Sequence, residues 1–186
     1  MASTYSSDLK LELMTTGEKS GTWGTITNTN LQQLEQAVSG YIAIAVGPSD
    51  VALALSNGAV SNGKNFYMKL TGTLTGNRVV TMPDSAERVF VVEDATARSA
   101  SNYTLTVKTV SGTGIALPVG STSLLYSDGT NISLGIQKKG YYTPSANYTA
   151  VNGDQVLVDT SGGGIGAPVT ITLPSSPAIG NEVTII

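Results

Sequence analysis

From Tyr41 onward the large apolar residues recur at every second position, a period that commits the chain to β-structure. The runs Ile42-Ile44-Val46, Val51-Leu53-Leu55, Phe66-Met68-Leu70, Leu105-Val107 and Ile132-Leu134-Ile136 each send their large side chains to one face. Val79-Val80 and Val89-Phe90-Val91-Val92 are denser and read as more deeply buried strands. Between the runs sit Asn57-Gly58, Asn62-Gly63, Gly76-Asn77 and Asp128-Gly129, dipeptides that favour tight hairpins.

A weak internal repeat organises these strands. Asp50 to Gly58 resembles Asn147 to Gly153, and Arg78-Val79-Val80-Thr81-Met82-Pro83 matches Val169-Thr170-Ile171-Thr172-Leu173-Pro174. Each proline leads through a short loop into another strand, Val89 to Val92 and Val183 to Ile186. The second copy breaks off where the first continues, so the expectation is that the full-length protein is longer or that Ile186 is only where the given chain ends. A module this small with no disulfide needs a neighbouring module or neighbouring chains to complete its core.

Before Tyr41 the pattern differs. Leu9, Leu11 and Leu13 alternate like a half-buried strand, and Gly17 to Gly21 is turn chemistry. A short helix follows, capped by Asn28 or Asn30 with Gln33 in the capping-box position. Leu31, Leu34 and Val38 have helical spacing, and Gly40 supplies the stop. The predicted fold is mainly β: a short N-terminal strand plus helix segment, then tandem antiparallel β-sandwich-like modules. The expected divisions are an N-terminal segment 1–45, a β-sandwich-like domain 46–139 and a second, apparently incomplete β module 140–186.

The 186 residues contain no cysteine and no histidine, which excludes disulfides, thiolate nucleophiles, Cys/His zinc sites and imidazole chemistry. Charged residues are 12% of the chain, about half the usual share, and the net charge is −3. That balance argues against a nucleic-acid partner, which calls for a basic face. A surface so poor in repelling charge favours association, and we read it as an oligomer's. The start of the chain shows neither a basic nor an apolar signal region, and no apolar run approaches bilayer length, so neither secretion nor membrane insertion is expected.

Chemical motifs dissolve on inspection. Gly58 to Asn65 has the glycine and lysine spacing of a phosphate loop, but Asn65 replaces the magnesium-binding hydroxyl and a strand follows instead of a helix. Gly162 to Gly166 precedes a strand and reads as a loop. Asp128 to Asn131 offers too few oxygens for calcium and reads as a type I′ hairpin turn. The carboxylates Asp84, Glu87, Glu93, Asp94, Asp154 and Asp159 form no distinct pair for glycoside hydrolysis and read as solvated turn residues. Lys138-Lys139 reads as linker. The lone tryptophan, Trp23 between glycines, reads as an anchor beneath the helix, an inter-chain contact, or both. No enzyme activity, metal or cofactor is expected.

The stretch Gly17-Glu18-Lys19-Ser20-Gly21-Thr22-Trp23-Gly24-Thr25, the step Thr27-Asn28-Thr29-Asn30, and a helix closing on Gly40-Tyr41 resemble the N-termini of tail-fibre and related appendage proteins of tailed phages, those of marine and cyanobacterial phages in particular. The resemblance continues through Leu70 to Thr75, Leu125 to Asn131 and Tyr148 to Asp159. It implies a homotrimeric virion appendage, made in the host cytoplasm, whose N-terminal segment docks on tail or baseplate proteins. Its distal regions would meet a host-surface glycan. Thr22, Trp23, Asn28, Asn30, Leu31 and Leu34 are the expected docking or inter-chain contacts. The alternatives are another virion component (baseplate, neck or head-decoration fibre) or a glycan-binding or depolymerase module.

Overall fold

The computed structural model describes residues 3–99, 103–138, 141–144, 146–158, 169–177 and 181–186. Two short strands, β1 (Thr4–Tyr5) and β2 (Glu12–Leu13), pair antiparallel ahead of the helix α1 (Trp23–Ser39). Leu9 lies in the turn between them, so the strand read over Leu9 to Leu13 shrinks to its last two residues. Next come β3 (Tyr41–Ala45), β4 (Val51–Ala52), a 3-10 turn at Asn62–Lys64, β5 (Tyr67–Leu74), β6 (Arg78–Met82) and β7 (Glu87–Arg98). Then follow β8 (Leu105–Thr109), β9 (Gly114–Leu117), β10 (Thr122–Asp128) and β11 (Ile132–Lys138). The second repeat holds β12 (Tyr141–Tyr142), β13 (Tyr148–Thr149), β14 (Gln155–Val156), β15 (Ile171–Thr172) and β16 (Thr184–Ile185).

Successive strands alternate between two sheets. In one, β3, β5 and β7 lie side by side and parallel; in the other, β4, β6 and β8 do the same. The chain therefore winds as a β-solenoid of about five turns, not as antiparallel β-sandwich modules. Antiparallel pairing within the main sheets is confined to β8–β9, β7–β10 and β10–β11. The error has a plain cause: a period of two reports which face a side chain takes, not the direction of the neighbouring strand. Three of the four dipeptides read as hairpins are corners instead. Asn57-Gly58 and Gly76-Asn77 carry the chain from one sheet to the other, and Asn62-Gly63 opens the 3-10 turn. Asp128-Gly129 alone makes a hairpin. There Gly129 has φ +82° while Thr130 stays negative, the pattern of type II′ rather than type I′.

The internal repeat is a repeat of coils. Strands β12, β14 and β16 pair in parallel as β3, β5 and β7 do, and β13–β15 copies β4–β6. Val51 pairs with Val80 as Tyr148 pairs with Ile171, positions already equivalent in the sequence alignment. A polar device is repeated with them. Asp50 accepts the backbone N–H of Val79 at 2.9 Å, Asn77 that of Thr104 at 3.0 Å, and Asn147 that of Thr170 at 2.8 Å. Each of these residues stands just before a strand and satisfies a donor at the start of the next coil.

The interior is built from columns that run from coil to coil. Ile42, Met68 and Val92 stack in register on one sheet, and Val51, Val80 and Val107 on the other. Phe90, Leu70, Leu105 and Leu125 complete a core that is closed to solvent. A smaller core of Tyr148, Ala150 and Val156 serves the second repeat.

At Gly114 on β9 an added methyl would run into the carbonyl oxygen of Val107, whereas at Gly24 it would meet nothing within 4 Å. Gly114→Ala should therefore cost about 2 kcal/mol or more, lowering the midpoint of thermal unfolding by several degrees. Gly24→Ala should leave the midpoint unchanged or slightly raised. Circular dichroism melts of the two variants check this.

Candidate functional site

The helix is longer than the sequence suggested. It starts at Trp23, so Asn28 and Asn30 lie inside it and cap nothing, and Thr22 holds the cap position without a side-chain capping bond. Thr22 instead donates its hydroxyl to the Lys19 carbonyl at 3.2 Å. Asn28 is exposed. Asn30 pairs with the main chain of Glu12 like an extra strand residue, accepting its N–H at 3.0 Å and donating to its carbonyl at 2.9 Å.

The face that α1 turns inward carries amide side chains beside the half-buried Ile26 and Ala37. Gln36 grips Ser61 as Asn30 grips Glu12, donating to its carbonyl at 3.0 Å and accepting its N–H at 3.3 Å. Gln33 is fully buried, and its amide oxygen accepts from the ammonium of Lys64, which is also fully buried. Lys64 spends its other two protons on the carbonyls of Ser56 and Ala59, both at 2.7 Å. The lysine of the apparent phosphate loop is thus consumed in holding the 56–64 loop to the helix. Burial, with Arg88 and Lys10 nearby, pulls its pKa down to about 8. Arg88 works from the opposite side, donating to the carbonyls of Gly63, Lys64 at 3.0 Å and Asn65 at 2.9 Å. Burial lowers its pKa to about 10.

Four large apolar residues of α1 face outward, while Ile26 and Ala37 are half-buried. Trp23 is 64% exposed, Leu31 57%, Leu34 39% and Val38 74%. This overturns the reading of Trp23 as an anchor beneath the helix: the ring is exposed, and the hydrogen bonds that tie the helix to the body involve Asn30, Gln33 and Gln36. Thr27, Leu31, Leu34 and Val38 follow one another at steps of four, three and four, the spacing of a coiled-coil seam. Of the six expected contact residues, Trp23, Leu31 and Leu34 belong to this exposed apolar set; Asn30 is engaged with β2.

A second apolar row crosses the outer face of the five-stranded sheet. Tyr41, Tyr67, Val91, Leu124 and Ile136 are register neighbours across β3, β5, β7, β10 and β11. The rings of Tyr41 and Tyr67 stack with centroids 5.8 Å apart. On the next row, Tyr67 donates its hydroxyl to Glu93 at 2.9 Å and Lys69 forms an ion pair with the same carboxylate at 3.0 Å.

The carboxylates read as solvated turn residues divide. Asp84 does serve a corner, accepting from Ser111 N–H at 3.1 Å and its hydroxyl at 2.7 Å, and those donors hold its carboxyl below the ordinary range. Asp94 and Asp154 are instead buried. Asp159, the glycines 162–166 and Lys139 lie outside the described residues. Among the described residues no group of His, Cys, Asp or Glu is arranged to hold a metal ion, and no helix is long and apolar enough to cross a membrane. Comparison with protein-family models, curated proteins and solved structures gives no match.

Lys64→Met would leave Gln33 Oε1 and two carbonyls without their donor, a loss of about 3 kcal/mol or more. Because its folded pKa lies below its unfolded value near 10.5, the folded chain binds fewer protons between about 8 and 10.5. Stability contributed by this group should rise with pH across that window. Urea titrations over the range should show the rise in the parent chain, and it should be absent from Lys64→Met.

Proposed function

We propose that the chain is a non-catalytic structural protein of a tailed-phage fibre, an N-terminal assembly segment followed by a solenoid shaft. The observation that carries this reading is the exposed seam of α1, with Trp23, Leu31, Leu34 and Val38 outside and polar groups inside. A helix arranged that way is completed by other chains, and three copies joined along the seam would make the trimer that the sequence resemblance implies. Tail or baseplate proteins are then the partners at the N-terminal end, and a host-surface glycan is the partner of distal regions. The virion tail is the location this assigns.

The solenoid supports the same reading from another side. Coils stacked along one axis make an elongated body from short repeats, and length is what a shaft supplies. The Thr- and Ser-rich outer surface and the low share of charged residues suit close packing of parallel copies.

Light scattering of the purified chain should give three times the 19.1 kDa mass. The double variant Leu31→Asp, Leu34→Asp should fall to the monomer mass with its circular dichroism unchanged, because both positions are exposed. A monomeric parent chain would contradict the assembly role. Cryo-electron microscopy of labelled virions tests the location, and density found on the head alone would remove the tail assignment.

A further inference from the structure

The chain contains three Asn-Gly steps, at Asn57-Gly58, Asn62-Gly63 and Asn152-Gly153. Asparagine is thermolabile, and a following glycine makes it most so, because no Cβ shields the next amide nitrogen. That nitrogen attacks the asparagine Cγ: the new N–Cγ bond forms, the Cγ–Nδ2 bond breaks, and ammonia leaves with the amide proton. Water then opens the cyclic imide to aspartate or isoaspartate. A fold suppresses the reaction by holding the glycine N–H and the carboxamide in hydrogen bonds of their own.

Two of the steps are held at both ends by the same device. The Ala54 N–H donates to Asn62 Oδ1 at 2.7 Å, and the Ala54 carbonyl accepts from the Gly63 N–H at 3.0 Å. Glu182 does likewise, donating its N–H to Asn152 Oδ1 at 2.8 Å and accepting from the Gly153 N–H at 2.7 Å. Both glycines are buried. The remaining step is held at one end. The Gly58 N–H donates to the Lys10 carbonyl at 2.7 Å, but Asn57 is exposed, and among the described residues its carboxamide has no hydrogen-bond partner. The single bond also rests on a slight element. Lys10 lies in the turn between β1 and β2, strands of 2 residues each, and its φ of +57° is a left-handed conformation unfavourable to lysine. Ser6 closes that turn, its N–H donating to the Leu11 carbonyl and its hydroxyl accepting the Leu11 N–H, both at 2.9 Å.

We propose that Asn57 is the deamidation site of this chain, and that opening of the β1–β2 turn sets its rate. When the turn opens, the Gly58 N–H loses its acceptor and is free to give its proton to solvent, beside a carboxamide that nothing holds back. The product bears on the helix. Ser56 and Ala59, on either side of the step, give their carbonyls to the buried ammonium of Lys64, which also holds Gln33 of α1. Aspartate at position 57 adds a negative charge to this loop, and isoaspartate adds a backbone carbon between the two carbonyls. The modification therefore falls on the loop that seats α1.

Incubation of the full chain in mildly alkaline buffer, followed by peptide mapping with fragmentation to place the amide-to-acid mass change, tests this. Asn57 should convert at least about tenfold faster than Asn62 and Asn152, whereas in urea all should convert at similar rates. Ser6→Ala, which removes the hydroxyl that holds the Leu11 N–H, should speed conversion at Asn57 alone by about fivefold, the equivalent of one hydrogen bond. Lys10→Gly, which relieves the left-handed turn, should slow it by a similar factor. Conversion at Asn62 or Asn152 that keeps pace with Asn57 in the folded chain, or no conversion at Asn57 while the urea sample reacts, would overturn the site. A rate at Asn57 that neither variant moves would overturn the role of the turn. If Ser6→Ala speeds all the steps together, it has loosened the whole fold, and Lys10→Gly decides: an unslowed Asn57 would overturn that role.

Discussion

Along the solenoid axis the backbone of each coil finishes its hydrogen bonding on a neighbouring coil. Val46 donates to Thr71, Leu53 to Thr81 and Val110 to Met82, and in the second repeat Ala150 donates to Thr172 and Val158 to Ile186. No coil can satisfy these groups internally, because its own strands lie in opposite sheets. The rest follows from this requirement. Strands must keep register so that columns such as Ile42, Met68 and Val92 meet. Corners must return the chain at the right height, and the residues Asp50, Asn77 and Asn147 fix that height by holding a donor of the following coil.

The same requirement explains where the coil pattern is interrupted. After β8 the chain stops winding and lays down β9, β10 and β11 antiparallel, closing the first body before the second repeat resumes the parallel pattern. At that boundary the aliphatic column Ile44, Leu70 ends in Asp94, and the Asp94–Arg98 pair occupies the place of a hydrophobic residue. A buried pair of this kind is a poor source of stability compared with packed aliphatic groups. It does mark where the aliphatic column ends, since Asp94 follows Leu70 in register.

Much of the strand content was legible in the sequence, because alternation survives any change of topology. Ile44, Met68, Leu70 and Leu105 are inside as their periodicity implied, and the alignment of Asp50 with Asn147 paired two residues that do the same job. The direction of neighbouring strands was not legible. Asn57-Gly58 and Gly76-Asn77 have the chemistry of a tight turn, and a solenoid corner needs that chemistry as much as a hairpin does. The inward face of α1 was also hidden. Gln33 and Lys64 are 31 residues apart, and nothing local in either segment signals that one completes the other. Lys64 drew notice for the wrong reason, its spacing from two glycines, when its burial was the informative property. Asp154 looked like a solvated turn residue because no sequence signal reports that Tyr148 folds over it.

The polar grip of α1 on the body separates two tasks within seventeen residues. Asn30, Gln33 and Gln36 answer to the fold, and changing them disturbs the chain's own architecture. Trp23, Leu31, Leu34 and Val38 answer to whatever lies outside it. Selection can therefore rewrite the outer set without renegotiating the inner one, so the exposed face of the helix can diverge while the solenoid beneath it is inherited unchanged.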